Sequence, residues 1–422
     1  MYKARRGYKM EHYITEIRIE SLRHLSNIAI SLNAEQRQNL IITGKNGSGK
    51  TSLLIALQKY LQAINEENFE DLIEYHIPKF SDIQECLDKT ETEAEKYKIR
   101  NNHILWKNTL SQVRKYADGI RLSFNNSAHL ESLYAQGEFI TAYFPANRKT
   151  QIVKSKGVED IRLKTSYEIS SEPGQLLLKY MVHLKTQQAY ARNEGDMAVV
   201  DRIQEWFNRF VGALRILLDN NTINLEYNYK EYDFEIHEAG RKPFRLEELS
   251  DGYSSVIQIV SNLILRMDKD WLSDDEISEY NVEGIVLIDE IETHLHIALQ
   301  KKIMPFLTKF FPRLQFIITT HSPYILNSIS NAKVYDLENC IELEDLYAYS
   351  SEDLAEGYFG VDEYSEQLKQ KVERYQYLKE KPDITEIERA ERARLRSEFR
   401  NIPKGLSQEI TELFYDLEGK QL

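Results

Sequence analysis

Eight residues near the N-terminal end have the spacing of a phosphate-binding loop. The run Gly44-Lys45-Asn46-Gly47-Ser48-Gly49-Lys50-Thr51 matches the pattern G-x-x-x-x-G-K-[ST] at every fixed position. Glycines let backbone N–H groups close around a triphosphate, and a helix that starts here directs its positive dipole end at the same anion. The sequence therefore predicts an ATP site over residues 44–52, which includes Ser52. In that site Lys50 contacts the β- and γ-phosphates and Thr51 binds Mg²⁺.

Two adjacent carboxylates follow an apolar run much later in the chain. The residues Ile285-Val-Leu-Ile288 precede Asp289 and Glu290. Such a run suits a strand buried on both faces of a parallel sheet, and α/β sheets bind ligands at the carboxyl ends of their strands. We expect Asp289 to hold the Mg²⁺ and Glu290 to polarise the attacking water.

Two further segments have residue types that suit a phosphate site. Ser250-Asp251-Gly252 opens a predicted helix, so its N-terminus is a second candidate anion site, although Ser250 also suits a plain helix cap. The predicted strand Gln315–Thr319 is followed by Thr320 and His321. This histidine is a candidate contact for the γ-phosphate at the same sheet edge.

The pattern of apolar residues predicts the elements that position these motifs. Alternation over residues 12–32 indicates a β-hairpin, and a strand at 40–43 leads directly into the glycine-rich loop. Strands and helices then alternate from residue 284 to residue 337, which is typical of an α/β fold. The region between the glycine-rich loop and the predicted helix that opens at Ser250 is expected to be mainly helical, with strands near 139–144 and 222–237.

Composition excludes several classes of protein. The chain has 422 residues, 42% hydrophobic, with a net charge of −13 and no apolar run long enough to span a bilayer. The N-terminus has no apolar core of a secretory signal, and two distant cysteines give no disulfide framework, so we expect a cytoplasmic protein with no membrane contact. A local basic patch for DNA, or alternatively a solvated loop, is suggested by Arg148, Lys149, Lys154, Lys156, Arg162 and Lys164.

The order of the motifs resembles that of ABC-type ATPases. Leu249-Ser-Asp-Gly-Tyr253, Ile288-Asp-Glu-Ile-Glu-Thr-His-Leu-His296 and Thr319-Thr-His-Ser-Pro323 are similar to the branch that includes the OLD, RecF and SMC proteins. Within it the chain resembles stand-alone ATPases of antiphage systems, such as the Septu ATPase that partners an HNH nuclease. The resemblance implies an ABC-type P-loop ATPase head with an N-terminal antiparallel β-hairpin, a mixed central sheet and an inserted helical subdomain.

The resemblance also implies a mechanism and roles for residues. Two copies bind two ATP–Mg²⁺ head to tail, each nucleotide lying between Lys50 of one copy and Ser250, Asp251 and Gly252 of the other. Glu290 and His321 act in catalysis, and residues 292–294 communicate across the dimer. Arg23 corresponds to an N-terminal nucleotide contact. The family's Q-loop glutamine has no clear match here, and the segment 145–148 is the candidate for its place.

Four segments follow from these assignments. They are the hairpin, P-loop and first helix (1–65), a helical insertion with strands at 136–148 and 222–238 (66–240), the lobe with signature, Asp289–Glu290 and His321 (241–340), and a charged helical extension (341–422). The extension is too short for a typical further domain of about 100–150 residues. Any nuclease that acts with this ATPase is therefore expected on a partner chain, for which the extension is a candidate docking element.

Three functions are compatible with the motifs. The first is an antiphage ATPase that controls a partner nuclease, and the second is a DNA-repair or chromosome-maintenance ATPase of the RecF or SMC type. The third, a transporter subunit, is disfavoured by the Leu-Ser-Asp-Gly-Tyr signature and the large insertion. His294 and His296 raise the question of zinc, but Asp289 stands where an H-E-x-x-H motif needs its first histidine.

Overall fold

The computed structural model describes residues 11–90, 92, 96, 104–148, 152–268, 281–344, 346–351, 353–354 and 366–400. The chain divides into two compact units, Met1–Ser350 and Ser351–Leu422. The first unit holds three sheets and all the phosphate-site motifs. The second holds a pair of helices. The division into four segments made from the sequence stays a prediction.

The N-terminal hairpin forms part of a small antiparallel sheet. Strand β1 (Ile14–Leu22) pairs with β2 (Leu25–Ser31) on one side and with β4 (Ile120–Phe124) on the other. The alternating apolar residues of β1 and β2 face the core, as the sequence predicted. Strand β4 was not predicted, because it lies in a region that was expected to be helical.

The central sheet positions the phosphate-site motifs. Its six strands run in the order β12-β11-β3-β10-β9-β5, and all neighbours are parallel except β12 with β11. The strands are β3 (Asn39–Thr43), β5 (Phe139–Phe144), β9 (Glu283–Ile288), β10 (Leu314–Thr319), β11 (Ala332–Asp336) and β12 (Ile341–Leu343). Every residue of β3, β9 and β10 is buried, which explains their unbroken apolar sequences.

Because five of these strands are parallel, the segments that follow them meet at one edge of the sheet. These are the loop after β3, Pro145–Arg148 after β5, Asp289–Glu290 after β9 and Thr320–His321 after β10. The sequence motifs, which are up to about 280 residues apart in the chain, therefore converge by topology.

Helices fill the space around the sheets. In the first unit they run Lys50–Asn65, Phe69–Asp71, Ile77–Lys89, Ile104–Tyr116, Leu130–Ala135, Leu177–Glu194, Met197–Leu217, Asp251–Met267, Ile297–Phe310 and Pro323–Leu326. A π-helical turn, Leu72–His76, joins the second to the third, and 3₁₀ turns cover Pro173–Leu176, Leu246–Glu248 and Leu346–Ala348. The P-loop helix (Lys50–Asn65) shares one hydrophobic core with the antiparallel sheet and the central sheet.

The helical insertion has its own aromatic core. Asp196 caps the helix Met197–Leu217 by accepting from the Val199 N–H at 3.2 Å. Apolar residues recur at helical spacing on this helix and are buried, and Trp206 stacks on Phe210 with ring centroids 5.7 Å apart. A third, antiparallel sheet follows, formed by β6 (Asn224–Asn228), β7 (Asp233–His237) and β8 (Phe244–Arg245).

The second unit contains two charged helices, Glu366–Glu380 and Glu386–Arg400. Their mutual contact buries Tyr375, Leu378, Leu395 and Phe399. Salt bridges Arg374–Glu391 and Lys371–Glu398 join the two helices at 2.9 and 2.8 Å. Charge pairs within one helix also occur, for example Arg394–Glu398.

These elements confirm the fold class predicted from the sequence: an α/β head with an N-terminal antiparallel hairpin, a mixed central sheet and a helical insertion. Among the described residues, each helix is too short or too polar to cross a bilayer.

Candidate nucleotide site

The loop after β3 adopts a conformation that requires glycine. Gly44, Gly47 and Gly49 have φ angles of 128°, 88° and 100°, in the region that L side chains rarely adopt. A Cβ at Gly44 would also lie 3.0 Å from Ser48 Oγ and 3.1 Å from the Glu338 backbone nitrogen. The glycines of the motif therefore follow from local backbone geometry, and the loop leads directly into the P-loop helix at Lys50.

Lys50 lies at the centre of this loop. Its side chain is buried, and Nζ donates to the carbonyl oxygens of Gly44 and Lys45 at 2.7 and 2.9 Å. An ammonium group has three N–H donors, so these two bonds leave one for a further acceptor. Burial lowers the pKa of Lys50, and the nearby carboxylates of Glu290 and Glu292 oppose that shift. The group is thus a cation held in place by the loop itself.

An open cavity in front of Lys50 brings most of the predicted site residues together. It is lined by Arg23, His24, Asn46, Gly47, Gly49, Lys50, Thr51, Ser52, Glu290 and His321. Lys45 and Ser48 belong to the same loop, but they face elsewhere: Lys45 pairs with Glu338 at 3.0 Å, and Ser48 is buried. Arg23 has φ 56° in the β1–β2 turn, which places it at this cavity.

The turn after β9 is held on one side by Thr319 of β10. Thr319 Oγ1 donates to Asp289 Oδ1 at 2.7 Å and accepts from the Glu290 N–H, also at 2.7 Å. Asp289 is almost fully buried, whereas the Glu290 side chain reaches the cavity. Glu290 has φ 44°, a strained conformation for a residue with a side chain. The two carboxylates therefore have separate environments, one fixed and one facing the cavity.

The opposite side of this turn is held by Arg148. Its guanidinium is 5% exposed and donates to the carbonyl oxygens of Asp289, Glu290 and Ile291. This overturns the interpretation of Arg148 as part of a basic surface patch. Of the other patch residues, Lys154 pairs with Glu247 and Arg162 with Asp160. Lys149 lies outside the described residues.

His321 closes the cavity from the end of β10. Its backbone N–H donates to Glu292 Oε1 at 2.5 Å, which fixes the residue beside the turn after β9. Burial and the neighbouring Lys50 lower the pKa of His321, so the ring is neutral at pH 7. Its Nε2 is buried and has no hydrogen-bond partner within the described protein. A polar atom of this kind suits a ligand oxygen at the cavity.

The signature residues lie at the start of the signature helix (Asp251–Met267). Ser250 is the N-cap residue, yet its side chain makes no capping hydrogen bond. The side-chain hydrogen bond that would make Ser250 a plain helix cap is therefore absent. Ser250, Asp251 and Gly252 are not among the residues that line the cavity of their own chain. Gly252 instead packs against the backbone of His294.

Two acidic residues at the loop were missed by sequence reasoning. Asp336 is buried at the end of β11, and its Oδ1 accepts from the backbone N–H of Glu338 at 2.9 Å. Glu338 in turn accepts from the Lys45 N–H at 3.2 Å and pairs with the Lys45 side chain. They support the entry to the P-loop. The sequence offered one signal for these two residues, namely that they lie at the end of a predicted strand. Many acidic residues lie in such places, so the signal was not specific.

The residues present suit ATP and Mg²⁺. Mg²⁺ is usually held by one or two carboxylates together with substrate phosphates, and Asp289 with the Thr51 hydroxyl matches this donor set. The glycine loop, Lys50 and the partnerless His321 Nε2 suit a polyphosphate. For the zinc alternative, no group of three His, Cys, Asp or Glu side chains is arranged around a metal position in the part of the chain that is described.

Comparisons with known proteins agree with the motifs. Septu protein PtuA of Bacillus mycoides (strain KBAB4) is 32% identical over 200 residues, which cover 44% of this chain and 26% of the relative. "Retron Vc95 probable ATPase" of Vibrio cholerae serotype O1 biovar El Tor is 24% identical over 375 residues, covering 72% of this chain and 70% of the relative. The chain thus spans about a quarter of the PtuA length. The resemblance to defence ATPases is confirmed.

Solved structures give a weaker similarity. The SMC head in "Crystal structure of the SmcHead bound to the C-winged helix domain of ScpA" is 13% identical and covers 80% of this chain and 100% of that chain, with a TM-score of 0.39. A score this low adds nothing to the assignment.

The family is defined by a model that covers more than half of the chain. It is described as "AAA domain, putative AbiEii toxin, Type IV TA system" and matches residues 65–327. This range includes the signature, Asp289, Glu290 and His321, and it begins at Asn65, the last residue of the P-loop helix. The chain therefore belongs to this family of AAA-domain proteins.

Proposed function

We propose that this chain binds ATP–Mg²⁺ and hydrolyses it in a head-to-tail dimer. The observation that carries the proposal is the cavity itself. There the ammonium of Lys50, the carboxylate of Glu290 and the partnerless Nε2 of His321 converge from three sheet strands. When bound, ATP–Mg²⁺ supplies the phosphoryl group and a metal ion that neutralises its developing charge.

The chain's own residues then have distinct tasks. The loop N–H groups of residues 44–51 and Lys50 bind the phosphates, while Thr51 and Asp289 hold the metal. Glu290 faces the cavity and takes a proton from the attacking water as general base. The neutral ring of His321 donates a hydrogen bond from Nε2 to a γ-phosphate oxygen. Arg23 and Ser52, at the cavity rim, bind the rest of the nucleotide.

Closure of the site requires a second copy. The signature residues Ser250, Asp251 and Gly252 lie outside the cavity of their own chain, and the free hydroxyl of Ser250 stands at a helix N-terminus of positive potential. A symmetric partner would present this helix N-terminus to the γ-phosphate, so that each dimer closes two equivalent sites.

In the cell we propose that the dimer controls a partner nuclease of the HNH type in a cytoplasmic antiphage system. Support comes from the names of the relatives, a Septu protein and a retron ATPase. The charged helices of the second unit are the proposed docking element for the partner. DNA would then be contacted by the partner nuclease.

Turnover of ATP by the purified chain tests the biochemical proposal. Lys50→Ala should abolish both nucleotide binding and phosphate release, because the loop loses its only side-chain cation aimed at the phosphates. Lys89→Ala is the matched control: Lys89 is exposed and, among the described residues, forms an ion pair with Glu85 alone. Normal nucleotide affinity in Lys50→Ala would reject the site. Phage protection that persists in Lys50→Ala cells would reject the proposal that ATP binding at this site controls defence.

A further inference from the structure

Arg148 uses every donor of its guanidinium inside the protein. The planar group carries five N–H donors. Nε donates to Ser255 Oγ at 3.2 Å, while Nη1 donates to the Asp289 carbonyl at 2.8 Å and to the Pro145 carbonyl at 3.3 Å. The other terminal nitrogen, Nη2, donates to the carbonyl oxygens of Glu290 and Ile291 at 3.1 and 3.3 Å. One side chain therefore joins three separate elements.

This guanidinium remains charged despite its burial. Burial lowers the pKa of Arg148 to about 10, and the nearby carboxylates of Glu292, Asp289 and Glu290 limit that shift. None of those carboxylates accepts a hydrogen bond from it, because its five donors bind four carbonyl oxygens and one hydroxyl. Because Arg148 binds mainly carbonyl oxygens, its guanidinium holds the backbone that carries them in place.

The backbone in question is the strained turn that carries Glu290. A non-glycine residue at φ 44° is strained and persists only where its surroundings fix it. Thr319 holds the N–H of Glu290, and Arg148 holds its carbonyl oxygen. With both ends of the residue fixed, the backbone that carries the Glu290 side chain is fixed at the edge of the cavity, which this side chain lines.

The contact between Arg148 Nε and Ser255 Oγ reaches the signature helix. Ser255 is buried in the first turns of that helix, close in sequence to Ser250 and Gly252. A displacement of the helix N-terminus would therefore act on Arg148 through Ser255, and through Arg148 on the carbonyl oxygen of Glu290. The two contacts place one rigid group between the residues proposed to bind the partner's nucleotide and the proposed general base.

We infer that Arg148 is a positioning residue that couples the signature helix to the turn Asp289–Ile291 and thereby sets the direction of the Glu290 carboxylate. The inference rests on the proposed ATP hydrolysis. In each copy, the orientation of the Glu290 carboxylate then depends on the position of the signature helix. Arg148 touches no nucleotide group in this scheme.

The test compares Arg148→Lys with a matched buried arginine. Arg266 is also buried and also donates to backbone carbonyls, those of Thr141, Tyr167, Glu168, Ile169 and Ser171, but to none in the turn after β9. Lysine keeps the charge and loses the fork of donors. Both variants should lose thermal stability. We expect only Arg148→Lys to lower kcat, by about 10–100-fold, with the KM for ATP within about threefold, because a misplaced catalytic group costs rate rather than binding.

Ser255 provides a second variant that leaves the carbonyl contacts in place. Ser255→Ala removes the link to the signature helix alone and should lower kcat by about 3–10-fold, with KM unchanged. Ser255→Thr keeps a hydroxyl and should restore kcat. These variants keep the inference testable if Arg148→Lys fails to fold, because Ser255→Ala leaves only one donor of Arg148 unpaired.

The outcomes separate this inference from the proposed function. If the wild-type chain releases no more phosphate than Lys50→Ala, the proposed function fails and the inference falls with it. If the wild type turns over ATP but Arg148→Lys and Ser255→Ala both keep its kcat, only the inference fails. Equal losses of kcat in Arg148→Lys and Arg266→Lys would likewise overturn it, since they would show a general loss of structure.

Discussion

The carbonyl oxygen of His294 lies so close to Gly252 that a Cβ at this glycine would stand 2.7 Å from it. His294 itself has φ 66°, in the segment that follows Glu290. The first turn of the signature helix thus packs directly on the backbone after the proposed catalytic turn. A side chain at position 252 would disturb both surfaces at once.

Gly252→Ala should therefore lower turnover by about 10–100-fold and destabilise the fold by about 1–3 kcal/mol, the usual range for an overpacked contact. ATP binding to the P-loop should remain, because Gly252 lies outside that cavity. Gly212→Ala is the control: a Cβ there meets nothing within 4 Å inside a helix, so a gain of about 0.5–1 kcal/mol is expected. Phosphate release and urea unfolding measure both effects, and unchanged turnover in Gly252→Ala would contradict the assignment.

Glu290→Gln should retain ATP binding and reduce turnover by roughly 10²–10⁴-fold, the usual contribution of a general base. The amide keeps the size of the side chain but cannot accept the proton. Because hydrolysis is what reopens the proposed dimer, the variant should accumulate as an ATP-loaded dimer in sedimentation experiments. Asp289 would be unaffected, since its oxygen is held by Thr319. A variant that turns over ATP at the wild-type rate would remove Glu290 from the mechanism.

His321→Ala should lower ATP turnover without a matching loss of thermal stability. The ring's Nε2 has no partner in the described protein, so removing it leaves no broken hydrogen bond at that atom, while the backbone bond to Glu292 persists. Turnover should fall by about 10²–10³-fold, with little loss of thermal stability. His183→Ala is the control, because His183 is buried and its Nδ1 lies 3.2 Å from the Glu159 carbonyl oxygen. That variant should lose stability and keep turnover. The opposite pattern would contradict the role of His321.

The buried carboxyl of Asp268 should make the free energy of unfolding depend on pH. Burial raises its pKa to about 7, against about 3.9 in an unfolded chain, although Trp206 Nε1 donates to it at 2.6 Å. Between these values the folded state holds a proton that the unfolded state has lost. The free energy of unfolding therefore falls as pH rises from about 4 to about 7 and then levels off.

Asp268→Asn removes this titration and keeps the acceptor for Trp206. Relative to the wild type, the variant should gain stability between pH 4.5 and pH 8, by on the order of 2–4 kcal/mol. Urea unfolding at both pH values measures the difference. A wild-type-to-variant difference that does not change with pH would show that Asp268 is already charged in the folded protein.

The sequence pointed to the candidate site residues more directly than to the residues that support them. The glycine loop, Asp289, Glu290 and His321 were recognised because phosphate chemistry requires those residue types next to buried strands, and a parallel sheet then brings them to one edge. The P-loop helix and the helix Ile297–Phe310 were found because their apolar spacing is strongly periodic.

What the sequence could not show depends on tertiary pairing. Strand β4 is short and surrounded by charged helical sequence, and only its pairing with β1 defines it, although Ile120 and Leu122 do alternate. Arg148 was grouped with nearby cations because a linear pattern does not tell a buried guanidinium from an exposed one. Asp336 and Glu338 reach the P-loop only because β11 lies beside β3.

The central claim is that each nucleotide lies between Lys50 of one copy and Ser250 of the other, and mixing two inactive variants tests it most directly. Lys50→Ala lacks the P-loop cation. Ser250→Glu places a repelling carboxylate at the signature, where a helix N-terminus tolerates it structurally. Each variant alone should release almost no phosphate.

Mixed in equal amounts, they should recover about a quarter of the wild-type rate, because half of the dimers are mixed and each mixed dimer has one intact site of two. Recovery should depend on ATP and on protein concentration. A mixture no more active than its separate components would contradict the shared site and place all the ATP chemistry within one chain.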